Sequence, residues 1–419
     1  MSKIKVLTLG DHPMAPTGVG IQTKNMVEGL LASGKFSVVS LGGAVSHTDR
    51  TPQQSEEHGE DWRIFPVDGY GNQEIVRSIM RTERPDIVWI MTDPRYWEFL
   101  WQIEDEIRPL TPIVYYHVWD NYPAPKFNNR FYGSNDVVVS ISKLTSNIVK
   151  EVSPDVEHHH IPHAVDTSVF KKISANDVAR FREQHLGAKY EGQTIFFWNN
   201  RNTKRKQGGT LVWWFKEFLD EVGHDKACLI MHTNPKEVTG PDLEIVTNEA
   251  GLDDGQVLLS PAKYEPERMA MLYNMADCTI NISDAEGFGL STLESLACET
   301  PIIVTMTGGL QEQVTNGEEN FGIGITPSSK AIIGTQRVPY IYEDRISKDD
   351  FLNALRTMYN KTPEERAEMG RLGSQHVADN YSFEFYKNEW VRLLEEIHQN
   401  CGSWDTRKGY ERWELLEVA

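Results

Sequence analysis

Residues 284–300 read DAEGFGLSTLESLACET. Just before them, Cys278-Thr279-Ile280-Asn281-Ile282-Ser283 is a short β-branched run that predicts a buried strand. Just after, Pro301-Ile302-Ile303-Val304-Thr305 predicts a second. The stretch between them carries two glycines and then a short helix from near Leu290. Strand, glycine loop, helix, strand is an order with a physical use. Gly287 and Gly289 let the backbone of Gly287-Phe288-Gly289-Leu290 approach a ligand closely, and the free amides at the helix start favour an anion there. Glu286 lies in the loop and Glu294 in the helix, with seven residues between them. One carboxylate can therefore reach a ligand from the loop and the other from the helix. Two acids would repel a phosphate, so their partners are hydroxyls. The implied ligand is half phosphate and half polyol, as a nucleotide sugar is. A solvated acidic loop beside an ordinary crossover fits the same spacing.

The rest of the chain sets the bounds. At 419 residues there is room for two domains with their own cores. Hydrophobic residues make up 39% and charged residues 25%, the shares of a soluble globular protein. No apolar run approaches the roughly 18 residues of a membrane span, and no signal-peptide pattern is seen at the N-terminus. Cys228, Cys278, Cys298 and Cys401 are scattered without CxxC spacing, which predicts a reducing cytoplasm, no disulfide framework and no zinc site. The net charge of −19 speaks against nucleic acid or an anionic membrane surface as partner, although a local basic patch would override it.

Other pieces follow in order. Ile4 to Gly10 predicts a strand and Gln22 to Ser33 a helix, with His12 to Gly20 (HPMAPTGVG) as a glycine loop between them. The full G-x-G-x-x-G of a dinucleotide site is absent. Residues 46–62 are polar and predict a mobile connection. His117 and Asp120 follow the strand-like Ile113-Val114-Tyr115-Tyr116, where open α/β sheets bind ligands; a structural histidine capping the next turn is the alternative for His117. His158-His159-His160 points three ways from an extended stretch, so no single-ion site is expected. After a strand at Thr194 to Trp198, Arg201, Lys204, Arg205 and Lys206 precede Gly208-Gly209 and a helix. Four cations feeding a helix N-terminus have the chemistry of a phosphate clamp, or of a solvated basic turn. Residues 318–345 form a long insert, a candidate for acceptor contact because large loops carry specificity.

Glu286, seven residues, Glu294, with Gly-Phe-Gly after the first glutamate and Gly308-Gly309 downstream, resembles the retaining glycosyltransferases of family 4. The resemblance implies the α/β GT-B fold, two Rossmann-like domains whose parallel sheets face an interdomain cleft. The expected bounds are 1–165 for the acceptor-side domain, 166–385 for the nucleotide-sugar domain, and 386–419 for a helix and tail returning to the first, anchored by Trp404 and Trp413. Residues 161–170 are similar to the family's hinge, with His163 and Ala164 replacing the usual asparagine and glycine. The implied reaction moves a sugar with retention from a UDP- or GDP-sugar to a hydroxyl acceptor, a glycan or lipid-linked sugar among others. Arg201 and Lys206, with Arg205 as substitute, would neutralise the donor diphosphate. Glu294 would hold ribose hydroxyls, and Glu286 would contact the transferred sugar beside His117. The loop of Gly18 and Gly20 would lie near the donor phosphate, the amides from Gly309 would face the donor, and Asp120 would sit on the acceptor side. No cofactor and no essential metal are implied, since the cations serve and no Asp-x-Asp ends a strand. The aromatic first half and the 318–345 insert are similar to family 4-like enzymes of tailed bacteriophages. That raises a modified base of phage DNA as another acceptor. Another GT-B activity, such as an epimerase or a phosphorylase, and a non-catalytic nucleotide-sugar-binding GT-B protein are the remaining alternatives.

Overall fold

The computed structural model describes residues 3–49 and 51–411. The chain divides into two compact units. The first comprises Met1–Asp120, Ala124–His163 and Phe383–Ala419; the second comprises Asn121–Pro123 and Ala164–Ser382.

In the first unit the described strands are β1 (Ile4–Asp11), β2 (Phe36–Gly43), β3 (Gln53–Ser55), β4 (Gly59–Pro66), β5 (Ile87–Met91), β6 (Ile113–His117), β7 (Val137–Ser140) and β8 (Glu157–His160). They form one sheet in the order β3-β4-β2-β1-β5-β6-β7-β8, parallel throughout except for β3 on β4. Strands β5 and β6 are buried at every position, as expected of parallel strands covered on both faces. The polar connection expected over residues 46–62 is instead partly sheet. In β4, Trp62, Ile64 and Pro66 point inward between half-buried Asp61, Arg63 and Phe65, a period of two that marks an edge-side strand. The first helix starts at Gly18, four residues before the periodicity begins, because Thr17 caps it. Its hydroxyl accepts from the Gly20 N–H at 3.0 Å and donates to Asp11 at 2.7 Å.

Helix Phe383–Cys401 is part of this unit. Trp390 is fully buried, edge-on to Trp89 at 5.7 Å and to Tyr116 at 4.9 Å, while the Tyr386 hydroxyl donates to the Gln22 carbonyl at 3.1 Å. Beyond it the Trp404 indole donates to the Pro85 carbonyl at 3.0 Å, with the Arg84 guanidinium 4.1 Å from its ring centroid. Trp413, the other expected anchor, lies outside the described residues.

The second unit carries β9 (Thr194–Asn199), β10 (Ala227–His232), β11 (Val257–Ser260), β12 (Cys278–Asn281), β13 (Ile302–Thr305) and β14 (Gly322–Ile325) in a wholly parallel sheet ordered β11-β10-β9-β12-β13-β14. Helix Gly208–Val222 buries Leu211, Val212, Phe215, Phe218 and Leu219 against Phe196, Trp198 and Leu229. The 318–345 insert is not a single loop. Its first part is β14, which completes the sheet edge. Its second part is an antiparallel hairpin of β15 (Ser329–Ile333) and β16 (Ile341–Arg345). That hairpin also explains why Asn121–Pro123 clusters with the second unit. The Tyr342 N–H donates to the Tyr122 carbonyl at 2.5 Å, and Asn121 Nδ2 donates to the Tyr342 carbonyl at 3.0 Å. The boundaries thus fall at 163/164 and 382/383 rather than at 165/166 and 385/386.

Truncating Trp390 removes a large ring from a filled space. Trp390→Ala should cost about 3–5 kcal/mol, read as a lower urea midpoint for the first unit's transition.

Candidate functional site

Where the strand order of a doubly wound sheet reverses, neighbouring crossovers leave in opposite directions and a crevice opens outside the carboxyl ends. In the second unit that point lies between β9 and β12. The loops that end there are residues 200–207 and 282–289, the two stretches carrying the cations and the acids.

The structure brings Lys206 and Glu286 together. The ammonium and the carboxylate form a close ion pair with side-chain exposures of only 9% and 12%, and Asn281 Nδ2 stands 3.5 Å from the same carboxylate. Glu286 is held from behind as well. Its carbonyl accepts from the Gly309 N–H at 3.1 Å, and Gly308, at φ +52°, passes so close that a Cβ there would overlap that carbonyl. The amide of Gly309 is therefore committed to the loop, a correction to the expectation that it faces a ligand. Gly289, at φ +95°, is the N-cap of helix Leu290–Ala297, so no side chain caps that helix's first turn. Phe288 turns its side chain into the core. Its ring is buried edge-on to Tyr381 at 5.7 Å, and its carbonyl accepts from Gln313 at 2.8 Å. Gly287 and Leu290 remain half-buried at the loop surface.

Glu294 is tied to β9 through a residue that no local pattern marks. The Tyr273 hydroxyl donates to Glu294 at 2.7 Å and accepts from Asn199 Nδ2 at 2.7 Å. Burial pushes the Glu294 carboxyl up to about 7, against the opposing pull of the Tyr273 hydroxyl. Nothing in the helical periodicity around Tyr273 separates it from an ordinary core residue; the paired Asn199-Asn200 at a strand end is the readable signal.

The other cations divide. The Arg205 guanidinium donates to the Ala285 carbonyl, which ties the two loops together. Arg201 is 70% exposed and pairs with Glu237 at 2.7 Å, so it does not share the buried position of Lys206.

In the first unit Gly18 and Gly20 open the capped helix. A Cβ on Gly20 would come within 2.6 Å of the Ala15 carbonyl oxygen and 2.8 Å of that of His12, so its smallness is required by the loop itself. His117 is fully buried at the end of β6. Its Nε2 meets the Tyr132 hydroxyl at 2.7 Å, and burial holds the imidazole down to about 3. The ring presents no exposed surface, and its partner is the Tyr132 hydroxyl rather than the next turn. Asp120 is half-buried. On the edge strand β8, His158 rests on Ser140 at 3.0 Å and His159 on Glu157 at 2.9 Å. Among the described residues no group of three or more His, Cys, Asp or Glu is placed to hold a metal ion, and no helix is long and apolar enough to cross a membrane.

Residues 247–358 match the family described as Glycosyl transferases group 1. That stretch includes Glu286, Glu294 and the hairpin but not the loop of Arg201 and Lys206. The chain is 29% identical over 211 residues to D-inositol 3-phosphate glycosyltransferase of Acidothermus cellulolyticus, covering 47% of this chain and 46% of that one. It is 28% identical over 201 residues to N-acetyl-alpha-D-glucosaminyl L-malate synthase of Bacillus anthracis, covering 47% and 49%. It thus spans about half the length of these curated relatives. Among solved structures it superposes on sucrose-phosphate synthase of Thermosynechococcus elongatus with a TM-score of 0.76, at 16% identity, over 95% of this chain and 100% of that one. On Anabaena Alr3699/HepE in complex with UDP-glucose the TM-score is 0.70, at 15% identity, over 94% and 99%. The fold is GT-B, built from two Rossmann-like α/β units.

Two predictions test this geometry. Lys206→Met strands a buried carboxylate and should cost about 3–5 kcal/mol, most of it recovered in Lys206→Met/Glu286→Gln; thermal denaturation reads both. Glu294 holds its proton more tightly folded than unfolded, so it contributes stability at low pH that is lost as pH rises through about 7. Glu294→Gln keeps the Tyr273 hydrogen bond without that loss. Its Tm advantage over the parent should therefore grow as pH rises from about 5 to about 8.

Proposed function

We propose that this chain is a retaining, metal-independent glycosyltransferase that moves a sugar from a nucleoside diphosphate sugar to a hydroxyl acceptor. The observation that carries the reading is the convergence, at the β9/β12 reversal point, of a buried Lys206–Glu286 pair with Glu294 in the helix that follows. The match of residues 247–358 to Glycosyl transferases group 1 supports it, as does the likeness to relatives named as glycosyltransferases. The UDP-glucose bound by Anabaena Alr3699/HepE supports a UDP-sugar as the first donor to try.

The donor's negative charge grows on the β-phosphate as its bond to the anomeric carbon breaks. An ammonium has three N–H donors, so Lys206 can hold Glu286 and the diphosphate at once. The uncapped amides at Leu290 add a fixed positive field, and preorganised electrostatics of this sort usually lower the barrier more than any other effect. Arg201, exposed enough to swing in from solvent, and Arg205 add further positive charge. Together they take the place a divalent metal holds in other transferases. Glu294 accepts the ribose hydroxyls once ionised, and Glu286 accepts a hydroxyl of the transferred sugar. The resemblance to family 4 supplies the stereochemistry. The acceptor oxygen bonds to the anomeric carbon on the face that the phosphate leaves, and its proton passes to the departing phosphate oxygen.

A thermal-shift panel of UDP-, GDP- and ADP-glucose and their free diphosphates, with and without magnesium, checks the reading. One base should raise Tm without needing magnesium, since a ligand at about a hundred times its dissociation constant adds roughly 2.7 kcal/mol. With that donor, Lys206→Ala should lower kcat by about 10²–10³-fold, while Glu294→Ala should mainly weaken donor binding, by about tenfold. Silence across the panel, or unchanged kinetics in both variants, contradicts it.

A further inference from the structure

Asp284 stands two residues ahead of Glu286 and is 4% exposed. A carboxylate so deep needs partners, and they come from separate elements. Gln207, next to Lys206, donates to it at 2.5 Å, and Arg345, the last residue of β16, forms an ion pair with it. The backbone repeats the pattern. The Asp284 N–H donates to the Arg205 carbonyl at 2.8 Å, and its carbonyl accepts from the Asp344 N–H at 2.9 Å. Residues 284–286 are thus strung between the 200–207 loop on one side and the β15–β16 hairpin on the other. The Arg345 guanidinium is itself aimed by Glu343 at 2.7 Å. The hairpin is tethered by the bonds of Tyr342 to Tyr122 and Asn121 described above, with the Lys330 ammonium 5.6 Å from the Tyr342 ring centroid.

We propose that Arg345, carried by this hairpin, is a positioning residue that acts through Asp284 to set the loop on which Glu286 meets Lys206. The insert is then an outer brace of the ion pair, and its first task is geometric. Without the guanidinium, the Asp284 carboxylate keeps Gln207 but loses its hairpin partner, and only the Asp344 N–H on its carbonyl still ties it to that side. The loop gains freedom where a shift of about 1 Å can cost a hundredfold in rate. Lysine in place of Arg345 keeps the charge and most of the reach. The catalytic consequence rests on the transferase reading, whereas the effect on the loop does not.

Hydrogen–deuterium exchange on the full chain, without ligand, is the test, with Arg345→Met and Arg345→Lys beside the parent. Arg345→Met should speed exchange of amides 284–289 about tenfold, with β9 and β12 unchanged, and Arg345→Lys should restore most of the protection. With the nucleoside diphosphate glucose chosen by the thermal panel, Arg345→Met should lower kcat about tenfold or more while KM stays within about threefold. Unchanged exchange at 284–289 overturns the proposal, as does faster exchange with unchanged kcat. If no nucleotide in the panel binds the parent protein, the transferase reading falls, and the exchange result alone decides the positioning role.

Discussion

A lysine ammonium and a glutamate carboxylate, both nearly out of water, meet at the ends of two neighbouring parallel strands. Each charge left alone would cost several kcal/mol to keep there, so each depends on the other being in place. That dependence constrains the backbone on both sides. Lys206 comes from the loop after β9 and Glu286 from the loop after β12, so the pair forces the two loops to stay in step. The glycines around Glu286 follow from the same requirement. Gly308 must lack a side chain for its strand-to-helix turn to pass the Glu286 carbonyl, and the amide of Gly309 then pins that carbonyl. The Arg205 guanidinium on the Ala285 carbonyl adds a second tie between the loops.

Both units use the same doubly wound order, yet they close the reversal point differently. In the first, the loop after β1 is filled by its own neutral and acidic groups. Asp11 accepts from Thr17 at 2.7 Å and from the Tyr70 hydroxyl at 3.0 Å, so each of its carboxylate oxygens already has a hydroxyl partner. In the second, the loops meet through opposite charges. A lysine in an ion pair can take on a further anion without breaking the first contact, which a hydroxyl-satisfied carboxylate cannot do.

Much of this was legible in the chain. Glycine spacing and β-branched runs located the strands on either side of residues 284–300, and the seven-residue interval placed one glutamate in a loop and one in a helix. What sequence could not supply was pairing at a distance. Lys206 and Glu286 lie 80 positions apart, and nothing local to Tyr273, Asp284 or Arg345 marks them as partners of the site. Strand β4, next to the edge strand β3, was readable from its alternation but was masked by the polar residues before it. His117 is the opposite case. Its place at a strand end is right for a ligand, but Tyr115 and Tyr132 wall the ring in, and only three dimensions reveal that.

The most direct measurement is a crystal structure of the full chain with the nucleoside diphosphate sugar that stabilises it best. The diphosphate is expected on the Lys206 ammonium and the first turn of helix Leu290–Ala297, the ribose on Glu294, and the sugar on Glu286. A nucleotide seated elsewhere, with the Lys206–Glu286 pair undisturbed and out of its reach, would contradict the central claim.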